Sequence, residues 1–103
     1  MKKENYTPLP FGLTIADSTI NGQGVFTTRR LVQGTLLGIS HYRIDGDYIR
    51  TPLGGFINHS EEPNCHRSQA RLKEGFDKWH ITVTEDIEEG EELTLKYILY
   101  DPK

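Results

Sequence analysis

The sequence predicts a mostly β fold because of its short apolar runs, its many turn residues and its lack of helical periodicity. Ten glycines and five prolines divide 103 residues into runs of a few residues, rich in β-branched and aromatic side chains. No window of eleven or more residues repeats its apolar positions at the helical period. The best helical candidate, Gln69–Phe76, is short and carries Gly75 near its end. A chain of this length supports one modest core, so residues 1–103 are predicted to form a single domain.

Five runs are the predicted strands. In chain order they are Leu13–Ile15, Gly24–Thr27, Thr35–Ile39, Trp79–Thr84 and Glu92–Tyr97. Side chains alternate between the two faces of a strand, so the odd-numbered positions from Trp79 to Val83 are expected to share one face. In the last run Leu93, Leu95 and Tyr97 are expected on one apolar face. Thr94 and Lys96 are expected on the opposite face.

Charge, cysteine content and hydropathy exclude several classes of function. The net charge of −3 gives no basic footprint for nucleic acid. Cys65 is the only cysteine, so an internal disulfide and a four-cysteine zinc site are excluded and a reducing compartment is expected. No run approaches the roughly 20 apolar residues that cross a bilayer, and the first residues lack the apolar run of a signal peptide. We therefore expect a soluble, intracellular protein that binds neither nucleic acid directly nor a membrane.

The most informative segment is Gly54–Cys65, which reads Gly-Gly-Phe-Ile-Asn-His-Ser-Glu-Glu-Pro-Asn-Cys. By itself it is typical of a structural turn, in which short polar side chains satisfy their own backbone. Asn58–Ser60 also fits the glycosylation pattern, but the lack of a secretory signal argues against that interpretation. A metal site at His59, Cys65 and His66 is not expected, because adjacent residues of an extended chain face opposite ways.

Two weaker motifs flank this segment. Asn21–Phe26 contains a Gly-x-Gly turn whose missing side chains let a ligand or a second strand come close, and an ordinary hairpin is the equal alternative. It is not a dinucleotide-binding fingerprint, since Thr27 replaces the third glycine and no helix is predicted to follow. Asp86–Glu92 is an acidic turn, which by itself indicates a solvated loop.

Taken in this order, the three segments closely resemble a SET domain, the catalytic domain of one class of protein-lysine methyltransferases. The resemblance covers residues 20–97. It rests on the motifs Gly-x-Gly-Val-Phe, Phe-Ile-Asn-His-Ser-x-x-Pro-Asn-Cys and Gly-Glu-Glu-Leu-Thr-x-x-Tyr. The implied fold is a β-clip of small curled sheets whose C-terminal segment passes beneath a preceding loop as a pseudoknot, an exception to the usual unknotted connections.

The resemblance also implies S-adenosylmethionine as methyl donor and a lysine side chain of a protein as acceptor, with no metal. The residues that it assigns to the donor are Gly22, Gln23, Gly24, Asn58, His59 and Tyr97. Tyr97 is also the implied catalytic residue, whose hydroxyl holds the lysine amine; the alternative is a core tyrosine. Phe56 and Ile57 are assigned to the lysine channel through backbone carbonyls that accept weak hydrogen bonds from the methyl group. Tyr42 either lines that channel or has only a packing role.

One departure from the family pattern bears on substrate and assembly. Only Arg43–Leu53 separates Tyr42 from Gly54, where the family usually places a long, partly helical insert that forms one wall of the peptide groove. We therefore expect a homodimer in which a neighbour shields apolar surface, with a monomer as the alternative. The predicted function is a protein-lysine methyltransferase. A non-catalytic SET-like interaction module and a small β domain that binds sugars or peptides are the alternatives.

Overall fold

The computed structural model describes residues 9–10 and 12–96 of the chain. These residues form eight strands and one short helix, arranged in two four-stranded sheets. In chain order the elements are β1 (Leu13–Asp17), β2 (Gln23–Thr27), β3 (Leu36–Ile44), β4 (Asp47–Arg50), α1 (Pro52–Phe56), β5 (Asn58–His59), β6 (Cys65–Lys73), β7 (Phe76–Val83) and β8 (Glu92–Leu95). The prediction of a mostly β fold of small sheets is confirmed. Tyr97 lies outside the described residues.

The first sheet has the strand order β1-β2-β8-β5. The β1–β2 hairpin pairs Leu13 with Thr27 at one end and Asp17 with Gln23 at the turn. Strand β8 inserts between β2, to which it is antiparallel, and the two-residue strand β5, to which it is parallel. A strand from the end of the described chain therefore lies at the centre of the sheet.

The loop at positions 60–64 passes across β8 and forms hydrogen bonds with it. Ser60 N donates to the Leu95 carbonyl at 2.9 Å. The Asn64 side chain donates to the Glu92 carbonyl and accepts from Thr94 N, both at 2.9 Å. This is the arrangement expected where the C-terminal segment of a pseudoknot passes a preceding loop. Thr94, on the face of β8 opposite Leu93 and Leu95, is also buried, because Asn64 covers that face.

The second sheet has the order β4-β3-β7-β6. The best helical candidate, Gln69–Phe76, is not a helix, because those residues belong to β6, to a turn at Gly75 and to the start of β7. Eight residues are too few for a helix to be stable without an apolar stripe to bury, whereas pairing along β7 satisfies the backbone of β6 over its length. The odd-numbered positions from Trp79 to Val83 share one face of β7, as predicted, and that face is buried.

The two sheets and α1 share one apolar core. Its buried members are Val25, Leu31, Leu37, Leu53, Ile57, Cys65, Ile81, Val83, Ile87, Leu93 and Leu95. Both sheets and the helix contribute to this set, so the strands that carry the sequence motifs are fixed by the same packing.

The short segment Arg43–Leu53 forms a tight hairpin and the first turn of α1. The hairpin turn has positive φ at Asp45 and Gly46, the conformation of a two-residue turn that matches strand twist. Thr51 caps α1 by accepting a 3.1 Å hydrogen bond from Gly54 N. A Cβ on Gly54 would collide with the Ser40 carbonyl, so only glycine lets α1 approach β3 this closely. Within the described ranges, no helix is long and apolar enough to span a membrane.

Candidate functional site

The turn between β1 and β2 is closed by its own backbone and by one hydroxyl. Ser18 N donates to the Gly22 carbonyl at 2.8 Å, and Ser18 Oγ accepts from Ile20 N at 2.9 Å. Gly22 has φ of +47°, in the left-handed region that favours glycine. After the turn, Gln23 and Gly24 begin strand β2, which lies next to β8 in the first sheet.

The carboxylate of Glu92, the first residue of β8, joins this turn to the Asn-His motif. Ser18 Oγ donates to Glu92 Oε1 at 2.8 Å, from a residue 74 positions away in the chain. Asn58 Nδ2 donates to Glu92 Oε2, also at 2.8 Å. Hydrogen bonds to an ionised acceptor are stronger than neutral ones, so this carboxylate fixes three separate segments relative to one another.

Gly24 and Gly22 face very different surroundings. A Cβ on Gly24 would fall on the Glu92 carboxylate and within 2.9 Å of Asn58 Nδ2, so the residue must be glycine for internal reasons. A Cβ on Gly22 would meet nothing within 4 Å. The side of the turn that is open to a ligand is therefore at Gly22.

The Asn58 amide faces more acceptors than it has hydrogens. Its Nδ2 lies 3.2 Å from the Asn21 carbonyl, 3.3 Å from the Gln23 carbonyl and 2.8 Å from Glu92 Oε2. An amide nitrogen carries two hydrogens, so it cannot serve three acceptors at once. The cluster of Ser18, Asn58 and Glu92 with these two carbonyls, hereafter the acceptor cluster, is suited to a cationic hydrogen-bond donor.

His59 points away from the acceptor cluster. Its Nε2 lies 2.9 Å from Glu61 Oε2, and Lys96 Nζ lies 3.4 Å from Glu61 Oε1. The His59 hydrogen bond, followed by the Lys96 contact, lowers the pKa of Glu61. Adjacent residues of a strand face opposite ways, so Asn58 and His59 serve two different surfaces of β5.

The residues assigned to the lysine channel occupy separate surroundings. Ile57 is buried in the core, and its N–H donates to Leu53 O at 3.2 Å. Phe56, at the end of α1, is 39% exposed. Tyr42 lies on the outer face of the second sheet, with its ring centroid 6.1 Å from that of Phe76. That neighbour supports the packing interpretation of Tyr42.

A cleft of about 210 Å³ opens where the described chain reaches Lys96. It is lined by Pro63, Cys65, His66, Arg67, Leu95 and Lys96. Burial raises the pKa of Cys65 to about 12, so its thiol stays protonated and is not a nucleophile at neutral pH. Among the described residues there is no group of three or more His, Cys, Asp or Glu side chains that could hold a metal.

The family model for the SET domain matches residues 39–98, more than half of the chain. The chain belongs to the SET domain family. The match includes the Asn58-His59 motif and Glu92, whereas the Gly22–Gly24 turn lies before its first residue. The acceptor cluster is therefore built partly inside and partly outside the matched segment of this SET domain.

Solved structures show the same fold at low sequence identity. A Plasmodium falciparum protein described as a candidate histone methyltransferase is 16% identical, with a TM-score of 0.70 over 84% of this chain and 93% of that one. A chain of an apo ctPRC2 structure with two mutations in Ezh2 is 17% identical, with a TM-score of 0.70 over 85% of this chain and 15% of that one. A search of curated proteins found no match.

Glu92 and Ser18 are the site residues that sequence reasoning missed. Glu92 stands in an acidic run, where a solvated side chain is the usual expectation. Its one distinguishing signal is its place at the start of an alternating strand inside the Gly-Glu-Glu-Leu-Thr motif. Ser18 carries no signal in the sequence, because only the fold brings it to Glu92.

Proposed function

We propose that this SET domain is a protein-lysine methyltransferase that transfers a methyl group from S-adenosylmethionine to a lysine side chain of a protein. The observation that carries the proposal is the acceptor cluster, in which Glu92 holds the Gly22–Gly24 turn against Asn58. The structural likeness to the Plasmodium falciparum protein described as a candidate histone methyltransferase supports a protein as acceptor.

The donor set of the acceptor cluster fits the amino-acid part of S-adenosylmethionine. That part carries an ammonium group with three N–H donors, and the Glu92 carboxylate with the Asn21 and Gln23 carbonyls offers acceptors beyond those that Asn58 satisfies. The open side of the turn at Gly22 lets a ligand approach the backbone. In this proposal Gly22, Gln23, Asn58 and Glu92 hold the ammonium end, while Gly24 keeps Glu92 in place.

When bound, S-adenosylmethionine supplies an activated sulfonium methyl, so the protein has to position the acceptor rather than generate a nucleophile through a metal. The free lysine amine has a pKa of about 10.4, so the channel must favour its neutral form by desolvation. Phe56 and Ile57 supply an apolar end of α1 for that purpose. Tyr97 holds the amine through its hydroxyl, and the proton lost by the amine passes to solvent.

His59 supports the ligand from the other surface of β5. Its side chain is fixed by Glu61, and its backbone pairs with Leu95 in the parallel β5–β8 ladder. In the proposal the His59 backbone and ring border the adenine end of the donor. A fixed ring at this position reduces the side-chain entropy that binding must overcome.

Methyl transfer is tested with the full chain, methyl-deuterated S-adenosylmethionine and two acceptors, a histone mixture and a dialysed cell lysate. Ligand at a hundredfold over its Kd adds about 2.7 kcal/mol to the free energy of unfolding. For a domain of this size, saturating donor should therefore raise the melting temperature by several degrees. Mass spectrometry should then find labelled lysine. A melting shift without labelled lysine supports the alternative, a non-catalytic SET-like interaction module. The absence of both a melting shift and labelled lysine would contradict the proposed methyl transfer.

We further propose that the chain forms a homodimer through the outer face of the second sheet. The short β3–β4 hairpin leaves an apolar group on that face. Its members are Tyr42, Ile44, Ile49 and Phe76, of which Ile49 is 50% exposed. Light scattering should report twice 11.8 kDa, and Ile49→Lys should shift it to the monomer, while Val32→Lys, at an equally exposed loop position, should not. A mass of 11.8 kDa for the unmodified chain at high concentration would refute the dimer.

A further inference from the structure

The inner face of the second sheet continues past the apolar core and ends in a cluster of arginines. Strand register puts residues of all four strands on this face. Its central members are Trp79 and Asp77 on β7, and its charged members, hereafter the arginine face, are Arg43, Arg50, Arg67 and Arg71. Among the residues that the structure describes, the strand register places four arginines and the Asp77 carboxylate on this face, in a chain whose net charge is −3.

Asp77 fixes the positions of two of these arginines through ion pairs. Its carboxylate is 2% exposed and accepts from Arg43 Nη2 at 2.6 Å and from Arg71 Nε at 2.8 Å. These bonds, with Arg71 first, lower the pKa of Asp77 to about 2. Each guanidinium has five N–H donors, so both arginines keep donors for another acceptor while their positions are set.

Arg50 adds a positive charge that the carboxylate of Asp77 does not balance. Arg50 lies opposite His41 in the β3–β4 ladder, and Arg67 lies opposite Ile81 in the β6–β7 ladder. Burial first, and then the charges of Arg67 and Arg50, lower the pKa of His41 to about 4. His41 is therefore neutral at pH 7, and the positive charge of the face comes from arginine alone.

The surroundings favour carboxylates over nucleic acid as the ligand. Bases of single strands stack on exposed aromatic rings, but His41 and Trp79 are buried, stacked on each other with ring centroids 4.3 Å apart. The exposed ring of this face, Tyr48, is tilted against both of them, and its hydroxyl accepts a hydrogen bond from Arg43 Nη1 at 3.3 Å. Arginine forks match the geometry of carboxylates, which an acidic peptide presents at spacings comparable to those between strands.

We propose that the arginine face is a docking surface for an acidic segment of a partner protein, rich in Asp and Glu. The proposal does not depend on methyl transfer, because it rests on the second sheet alone and its readout is binding. The partner is defined by its charge: several carboxylates in a short, extended stretch.

The test measures fluorescence anisotropy of a labelled ten-residue peptide of alternating Glu and Gly titrated with the full chain. We expect binding that weakens several-fold between 50 and 200 mM salt. Arg50→Gln and Arg71→Gln should each weaken it about three- to tenfold, whereas Lys78→Gln, which removes a charge on the opposite face of β7, should leave it unchanged. Arg50→Lys keeps the charge at an exposed position and should recover part of the affinity.

Three results would overturn the proposal. They are the absence of peptide binding at millimolar protein, equal weakening by Lys78→Gln and Arg50→Gln, and tighter binding of a ten-nucleotide single strand than of the peptide. Arg71→Gln removes one partner of buried Asp77, so its melting temperature is measured beside its affinity. The Arg50 variants decide the question if Arg71→Gln unfolds.

Discussion

The carboxylate of Glu92 lies over the Cα of Gly24, in the space that any larger residue at position 24 would need. We therefore expect Gly24→Ala to displace the carboxylate from Ser18 and Asn58, and to lower the free energy of unfolding by about 1 to 3 kcal/mol. Urea denaturation measures the change. Gly22→Ala, where a Cβ meets open space, should cost only the roughly 1 to 2 kcal/mol of a left-handed backbone and leave Glu92 in place. A Gly24→Ala variant as stable as the wild type would contradict the placement of Glu92.

The negative charge of Glu92 is expected to contribute to binding of S-adenosylmethionine through its ammonium group. Glu92→Gln keeps the shape of the side chain but removes the charge, so the Kd for S-adenosylmethionine should rise about 10- to 100-fold while the fold survives. Isothermal titration calorimetry measures the Kd. Glu89→Gln removes an exposed charge from the same acidic turn and is the matched control. Equal losses in the two variants would assign the effect to net charge rather than to the acceptor cluster.

Neighbouring glycines of α1 should respond in opposite ways to the same substitution. Gly54→Ala drives a Cβ into the Ser40 carbonyl, which is backbone and cannot move aside, so we expect a loss of at least 3 kcal/mol or failure to fold. Gly55→Ala places its Cβ in open space and should be neutral or stabilise by up to about 1 kcal/mol. Melting temperatures of the two variants test the close approach of α1 to β3. Similar temperatures would argue against it.

The stability of the fold should fall as His41 gains a proton. Its folded pKa of about 4 lies below the unfolded value of 6.5, so between these values the unfolded chain binds more protons and the folded state loses stability as the pH falls. The loss amounts to at most about 3 kcal/mol, complete near pH 4. His41→Gln should flatten the dependence of unfolding free energy on pH between 6.5 and 4. An unchanged slope in that variant would assign the effect to other groups.

The sequence motifs predicted the family and the buried faces of the strands. They did not predict the hydrogen bonds and ion pairs between polar side chains. Trp79–Val83 alternates apolar and polar residues, and its inner positions are buried as expected. Strand β6 was not predicted, because Arg67 and Arg71 occupy inner positions where apolar residues would indicate a strand. Only the structure shows that Arg71 lies on the inner face because it forms an ion pair with Asp77. The reasons for Gly24 and Gly54 were equally hidden, since each depends on an atom from a distant segment.

The rate of methyl transfer by Tyr97→Phe, measured with the Kd for S-adenosylmethionine and the melting temperature of the same preparation, tests the central claim most directly. The substitution keeps the ring and removes only the hydroxyl proposed to hold the lysine amine. We predict labelled lysine from the wild type, a rate about 10²- to 10³-fold lower in Tyr97→Phe, and unchanged donor binding. Wild-type turnover by Tyr97→Phe, or a loss confined to about 1 to 3 kcal/mol of stability, would show that the hydroxyl takes no part in the reaction.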